Sequence, residues 1–270
     1  MFLEVNGHKA YAYTGNHAFD ASLPTSIFIH GAANDHSVWA LQSRYFAYHG
    51  HNVLAVDLPG HGKSAGDALD NVAALADWVK ALMDAGGIKQ AAIVGHSMGS
   101  LIGLETAARY PANVARLALI GTAIPMPVTD ALLETSAAND HAAYEMINIF
   151  AHSPRAQIGG NRLPGAWMMG NNMRLMERSA NGVLHADFTA CNGYRGGLDA
   201  AKKIQCPALL ILGQRDLMTP PRAAREAAAN FSDARTVMLD GTGHSLMSEQ
   251  PDAVLDALIE FLRAESATVA

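Results

Sequence analysis

Gly95-His96-Ser97-Met98-Gly99 places a serine between two glycines, directly after the apolar run "AAIV". A serine hydroxyl is a weak nucleophile until a base takes its proton, so the motif is chemical only in company. Its glycine spacing suits a sharp strand-to-helix turn, where small residues let the two elements approach closely. Such a turn also aims the first free N–H groups of the helix at whatever binds beside the serine. Asp216 in "LLILGQRDLMTP" and His244 in "LDGTGHSLMSEQP" supply the company, each just past an apolar run. Taken alone, Asp216 reads equally as a turn or N-cap aspartate, and His244 as a surface-loop histidine. Together they follow Ser97 in the order nucleophile, acid, base, each at the end of a strand. Ser97, Asp216 and His244 are therefore the candidate catalytic triad.

Three side chains meeting at one sheet edge need a chain that alternates strands and helices. "TSIFIHG", "HNVLAVDLPG", "QAAIVGHS" and "VARLALIG" are short apolar runs of the kind buried on both faces of a parallel sheet. Asn6-Gly7 between two strand-like runs predicts a type I′ hairpin at the N-terminus. Val72, Leu75, Val79 and Leu82 recur at helical spacing, and "SLIGLETAARY" predicts a helix straight after Ser97. The alternation resumes at "CPALLILG", "PPRAAREAAANF" and "ARTVMLDG", and closes with a helix over "PDAVLDALIEFLRAE". Between them, residues 122–201 break the rhythm with scattered Pro, Gly and Asn. The expectation is an α/β core of residues 1–121 and 202–270, its mostly parallel sheet flanked by helices, interrupted by a helical cap at 122–201. The carboxyl edge of such a sheet is where ligands bind.

Composition narrows the function classes. Half of the 270 residues are hydrophobic, and a net charge of −6 without a basic block argues against a nucleic-acid partner. "MFLEVNGHKA" lacks the basic and apolar regions of an export signal, and no apolar run approaches the roughly 20 residues of a membrane span. Cys191 and Cys206 then read as free thiols in a reducing cytoplasm. The spacings of His30 with His36 and of His49 with His51 do not fit a helical zinc pair, so neither metal nor cofactor is expected. Arg174, Arg178 and Arg195 read as solvated surface. Six of the twelve methionines fall in 122–201, as core packing for short helices or as the lining of an adaptable apolar pocket, with Trp167 able to join either.

"HGAAND", "DLPGHGKS", "GHSMG", "LGQRD" and "GTGHS" together resemble the motifs of the α/β-hydrolase superfamily over nearly the whole chain outside 122–201. The resemblance implies an oxyanion hole formed by the N–H groups of Ala32 and Met98. It implies a structural turn at Asp57–Ser64, with His61 a turn residue and not a base. The activity implied is hydrolysis of a carboxylic ester, largely apolar and small or medium in size, through an acyl-enzyme. Lactone or enol-lactone opening, or C–C cleavage of a ring-fission product, would use the same triad, and a non-catalytic ligand-binding protein of this fold is a third reading. Branches that use an aspartate nucleophile are a poor match, because Ser97 occupies that place.

Overall fold

A computed structural model describes residues 1–160, 162 and 165–263. Residues 161, 163 and 164 of the expected cap and 264–270 of the expected core lie outside the described residues. Eight strands form one sheet in the order β1-β2-β4-β3-β5-β6-β7-β8. β1 (Phe2–Val5) and β2 (His8–Tyr13) are the predicted hairpin. Asn6 and Gly7 between them have φ of 51° and 81°, the left-handed pair that a type I′ turn requires. β2 joins the rest antiparallel to β4 (Asn52–Val56). From there β3 (Thr25–Ile29), β5 (Ala91–His96), β6 (Val114–Ile120), β7 (Ala208–Gly213) and β8 (Ala234–Leu239) run parallel. β3, β4, β5 and β7 are buried at every position, which is why they read as unbroken apolar runs and not as alternating ones.

Helices cover both faces. α1 (Ala40–Tyr48) lies between β3 and β4; it buries Gln42 and Ser43 beside Phe46 and so lacks a clean apolar stripe in the sequence. α2 (Val72–Ala85) starts at Asn71, whose side chain accepts from Ala74 N at 3.1 Å. That cap contributes about 1 kcal/mol. α3 (Met98–Arg109) follows β5 after the single residue Ser97. Between β6 and β7 the described chain is helical: α4 (Asp130–Ala137), α5 (Ala142–Ala151), α6 (Pro154–Gln157), α7 (Met168–Met176), α8 (Val183–Gly193) and α9 (Gly197–Ala201). α10 (Pro221–Ala228), α11 (Leu246–Glu249) and α12 (Pro251–Arg263) complete the core; the Ala264 and Glu265 expected at the end of α12 lie outside the described residues. No helix among the described residues is long and apolar enough to cross a membrane.

The α4–α9 segment has a small core of its own, in which Leu132, Ala143, Met176, Leu184 and Phe188 pack on Ala33 from the loop after β3. Ala190, Cys191, Ala200 and Ala201 join the main core instead. The segment thus packs both on the main core and on the loop after β3.

Candidate active site

Ser97 occupies the turn between β5 and α3 with φ of 52° and ψ of −120°, a strained conformation for a residue with a side chain. The flanking glycines make the turn feasible. A Cβ on Gly95 would collide with the Gly99 carbonyl, and one on Gly99 with the Ile29 and His30 carbonyls. Met98, the first residue of α3, has an N–H with no acceptor inside its own helix. Ala32, in the loop after β3, borders Ser97 in both cavities that open beside it.

Asp216 and His244 come from the loops after β7 and β8 and meet at 2.8 Å, His244 Nδ1 to Asp216 Oδ2. Both residues are buried. Asp216 Oδ1 accepts the Met218 and Thr219 N–H groups at 2.9 and 2.8 Å, while Oδ2 also accepts the Thr219 hydroxyl at 2.6 Å. Burial pushes this carboxyl up, but the adjoining imidazole and the Thr219 donors outweigh it and hold the group below its ordinary value. An ionised Asp216 fixes the proton of His244 on Nδ1 and leaves Nε2 with a free lone pair. Ser97 and His244 line one cavity of about 60 Å³. Among the described residues no hydrogen bond joins their side chains, a looseness common before substrate is bound.

Two buried histidines frame the site. His96 Nε2 donates to the His244 carbonyl at 2.9 Å. Burial, reinforced by the neighbouring His244, pushes its pKa down to about 3, so the ring is neutral. His30 donates from Nδ1 to the Gly31 carbonyl at 2.8 Å and accepts the Leu58 N–H on Nε2 at 3.1 Å. Burial, together with the charge of His61, lowers it to about 4.

His61 does lie in the Asp57–Ser64 turn, but its surroundings were not anticipated. Its Nδ1 faces the Pro59 carbonyl at 2.9 Å and its Nε2 faces Asp187 Oδ2, on α8, at 3.0 Å. Acceptors on both nitrogens require a proton on each. Burial lowers the pKa, but the Asp187 carboxylate and the two hydrogen bonds more than offset it, and the net shift is upward. The same Asp187 oxygen accepts the Ala33 N–H at 2.8 Å. One buried carboxylate thus joins α8 to both the Asp57–Ser64 turn and the loop that carries Ala32. Glu249 of α11 makes a second such joint, accepting the N–H groups of Gly243, next to His244, and of Ser153, each at 3.2 Å.

These shifts set a pH profile for stability. His30 and His96 are depressed, so their contribution is complete above the unfolded value of about 6.5 and is lost as pH falls toward 4. His61 is raised, so its contribution is complete below about 6.5 and is lost as pH rises through its folded value. Stability is expected to peak near neutrality and to fall by on the order of 3 kcal/mol between pH 6.5 and 4 from His30 alone. Melting temperatures across that window test this. A His30→Gln variant that loses stability on acidification as steeply as the wild type would refute it.

The remaining candidates resolve as follows. Asp57 is fully buried and accepts the His36 N–H, His36 Nδ1–H and Lys63 N–H at 2.7, 2.8 and 2.9 Å, a structural role. Asp35, His36 and Asp57 lie close enough to suggest a cation site, but Asp35 is occupied by Ser37 and Arg178. Arg174 pairs with Glu177, and Arg195 is exposed. Of the methionines, Met126 and Met176 line the cavities beside Ser97, Met146 and Met173 pack inside the α4–α9 segment, and Trp167 stands exposed.

A family model described as "alpha/beta hydrolase fold" matches residues 25–251. The chain is 28% identical over 263 residues to the Caulobacter sp. protein called "Putative carbamate hydrolase RutD", covering 90% of this chain and 92% of that one. It is 29% identical over 247 residues to the dihydrolipoyllysine-residue acetyltransferase component of the acetoin cleaving system of Pseudomonas putida, of whose length it spans 63%. Among solved structures, the enol-lactonase of Burkholderia xenovorans superposes with a TM-score of 0.82 at 24% identity, over 97% of this chain and 99% of that one. An esterase from Exiguobacterium antarcticum gives 0.83 at 18% identity, over 98% and 99%. These two likenesses speak to the fold.

Proposed function

The chain belongs to the α/β hydrolase fold family, and from that premise we propose that it is a serine hydrolase cleaving carboxylic esters through an acyl-enzyme. The observation that carries the reading is the 2.8 Å pair of Asp216 and His244 at the same sheet edge as the strained Ser97 turn. In this reading His244 Nε2 takes the Ser97 proton as Oγ attacks the substrate carbonyl, and Asp216 stabilises the resulting imidazolium. The N–H groups of Ala32 and Met98 meet the oxyanion; losing one such donor typically costs about 10²–10³ in rate. His244 then gives its proton to the leaving group, and water releases the acid. Residues 122–201 act as a cap over the core of 1–121 and 202–270 and shape the pocket beside Ser97, through Leu132, Met176 and Phe188 among others.

A fluorophosphonate is expected to label the wild-type chain at Ser97, with labelling abolished in Ser97→Ala. Label retained by the variant would remove Ser97 from the nucleophile's role. Carbamate cleavage is the second reading, favoured by the likeness to the Caulobacter protein. A panel of nitrophenyl esters, lactones and aryl carbamates of matched size separates the two: ester turnover at least tenfold above the rest supports the first reading, and carbamate preference the second.

A further inference from the structure

We infer that the general base is positioned from the α4–α9 segment. The turn joining α5 to α6, acting through Ala151, Ser153 and the buried Glu249, sets the place of His244 relative to Ser97. This rests on the acyl-enzyme reading above.

Core contacts hold His244 through its ring, which meets Asp216, and its carbonyl, which accepts from His96 Nε2 at 2.9 Å. The backbone N–H groups on either side of it bond differently. Ser245 N–H donates to the carbonyl of Ala151, the last residue of α5, at 2.9 Å. Gly243 N–H donates to Glu249 Oε1 at 3.2 Å, and the same oxygen accepts the Ser153 N–H at 3.2 Å. His244 is therefore straddled by two links to one turn, the first direct and the second shared through Glu249.

A turn can position a neighbour only if it is itself fixed. His152, buried between the two linked residues, donates from Nδ1 to the Asn148 carbonyl at 2.8 Å. Gln157 Nε2 donates to the Ile149 and His152 carbonyls at 2.9 and 3.0 Å. Ser153 caps α6 by accepting the Ala156 N–H at 3.3 Å. Each bond braces the turn against α5 or α6.

Gly243 shows how closely loop and turn approach. Its φ is not in the left-handed region, so the backbone conformation does not demand a glycine there. A Cβ would come within 2.6 Å of Ser153 N, 2.7 Å of Glu249 Oε1 and 2.9 Å of the Ala151 carbonyl oxygen. Those are the three atoms of the clamp. Proton transfer from Ser97 needs its oxygen within about 2.6–3.2 Å of the imidazole. A displacement of about 1 Å costs about 10² in rate, so a clamp on the base loop acts on the chemical step.

The test uses the intact chain, nitrophenyl acetate turnover and fluorophosphonate labelling followed for both rate and final stoichiometry. Glu249→Leu leaves two buried N–H groups without an acceptor. It is expected to lower kcat by about 10² with KM changed less than about threefold, and to slow labelling similarly while labelling still goes to completion. Glu249→Gln keeps an oxygen for both N–H groups and is expected to recover all but about threefold of the loss. Gly243→Ala, which forces loop and turn apart, is expected to match Glu249→Leu and carries the test should that variant fail to fold. Turnover within about threefold of wild type in a folded Glu249→Leu or Gly243→Ala variant overturns the inference. So does incomplete labelling with wild-type turnover per labelled chain, which marks a purely structural role, or a raised KM with kcat unchanged. A wild-type chain that takes no label overturns the acyl-enzyme reading, and the inference with it.

Discussion

Asp216→Asn is expected to lower kcat for nitrophenyl acetate by about 10⁴ while leaving the fold intact. The reason lies in how the carboxylate is held. Its Oδ1 accepts two backbone N–H groups, from Met218 and Thr219, so the oxygen of an asparagine must take that side. The NH₂ then faces the Thr219 hydroxyl and His244 Nδ1, where the carboxylate now accepts. His244 Nδ1 would become the acceptor and Nε2 would carry the proton, which removes the base from the side facing Ser97. Steady-state kinetics with a matched circular dichroism spectrum check this. Activity within tenfold of wild type would show that the tautomer of His244 does not govern the rate.

Asp187→Ala is expected to destabilise the chain by about 3–5 kcal/mol, or about 10 °C in melting temperature. Deleting the carboxylate leaves the His61 imidazolium buried without its counter-charge, and the Ala33 N–H without an acceptor. Ala33 is adjacent to Ala32, so the loss should also appear in kcat for any substrate whose oxyanion Ala32 receives. A double replacement, His61→Leu with Asp187→Leu, removes both charges and should recover part of the stability. Melting of Asp187→Ala within 2 °C of the wild type would show that the pair contributes little.

The two residues differ in how far the sequence exposes them. Asp216 and His244 each end a recognisable strand run and fall in a fixed order after Ser97, so short-range pattern is enough to propose them. Asp187 sits inside "VLHADFTACNG", an ordinary helical stretch, and its partners lie 126 and 154 residues away in the chain. No local spacing announces such a contact; a buried acid among apolar residues is its sole trace. The same contrast holds for the fold. Strands buried on both faces declare themselves as continuous runs, as β3, β4, β5 and β7 do. α1 does not, because the face it buries includes Gln42 and Ser43. Cavity volumes arise from how α4–α9 pack over the sheet edge, and this depends on contacts such as Phe188 with Ala33 that periodicity does not encode.

The joints at Asp187 and Glu249 bear on how specificity in this chain could be re-engineered. Each ties the α4–α9 segment to a loop beside Ser97 or His244. Transplanting that segment from a homologue would therefore exchange more than the walls of the pocket. A chimera would need an acid on the donor's counterpart of α8 and a free N–H opposite Glu249. Otherwise the graft would arrive with a new pocket and a misaligned reaction centre, so compatibility at these two joints is the first criterion for choosing a donor.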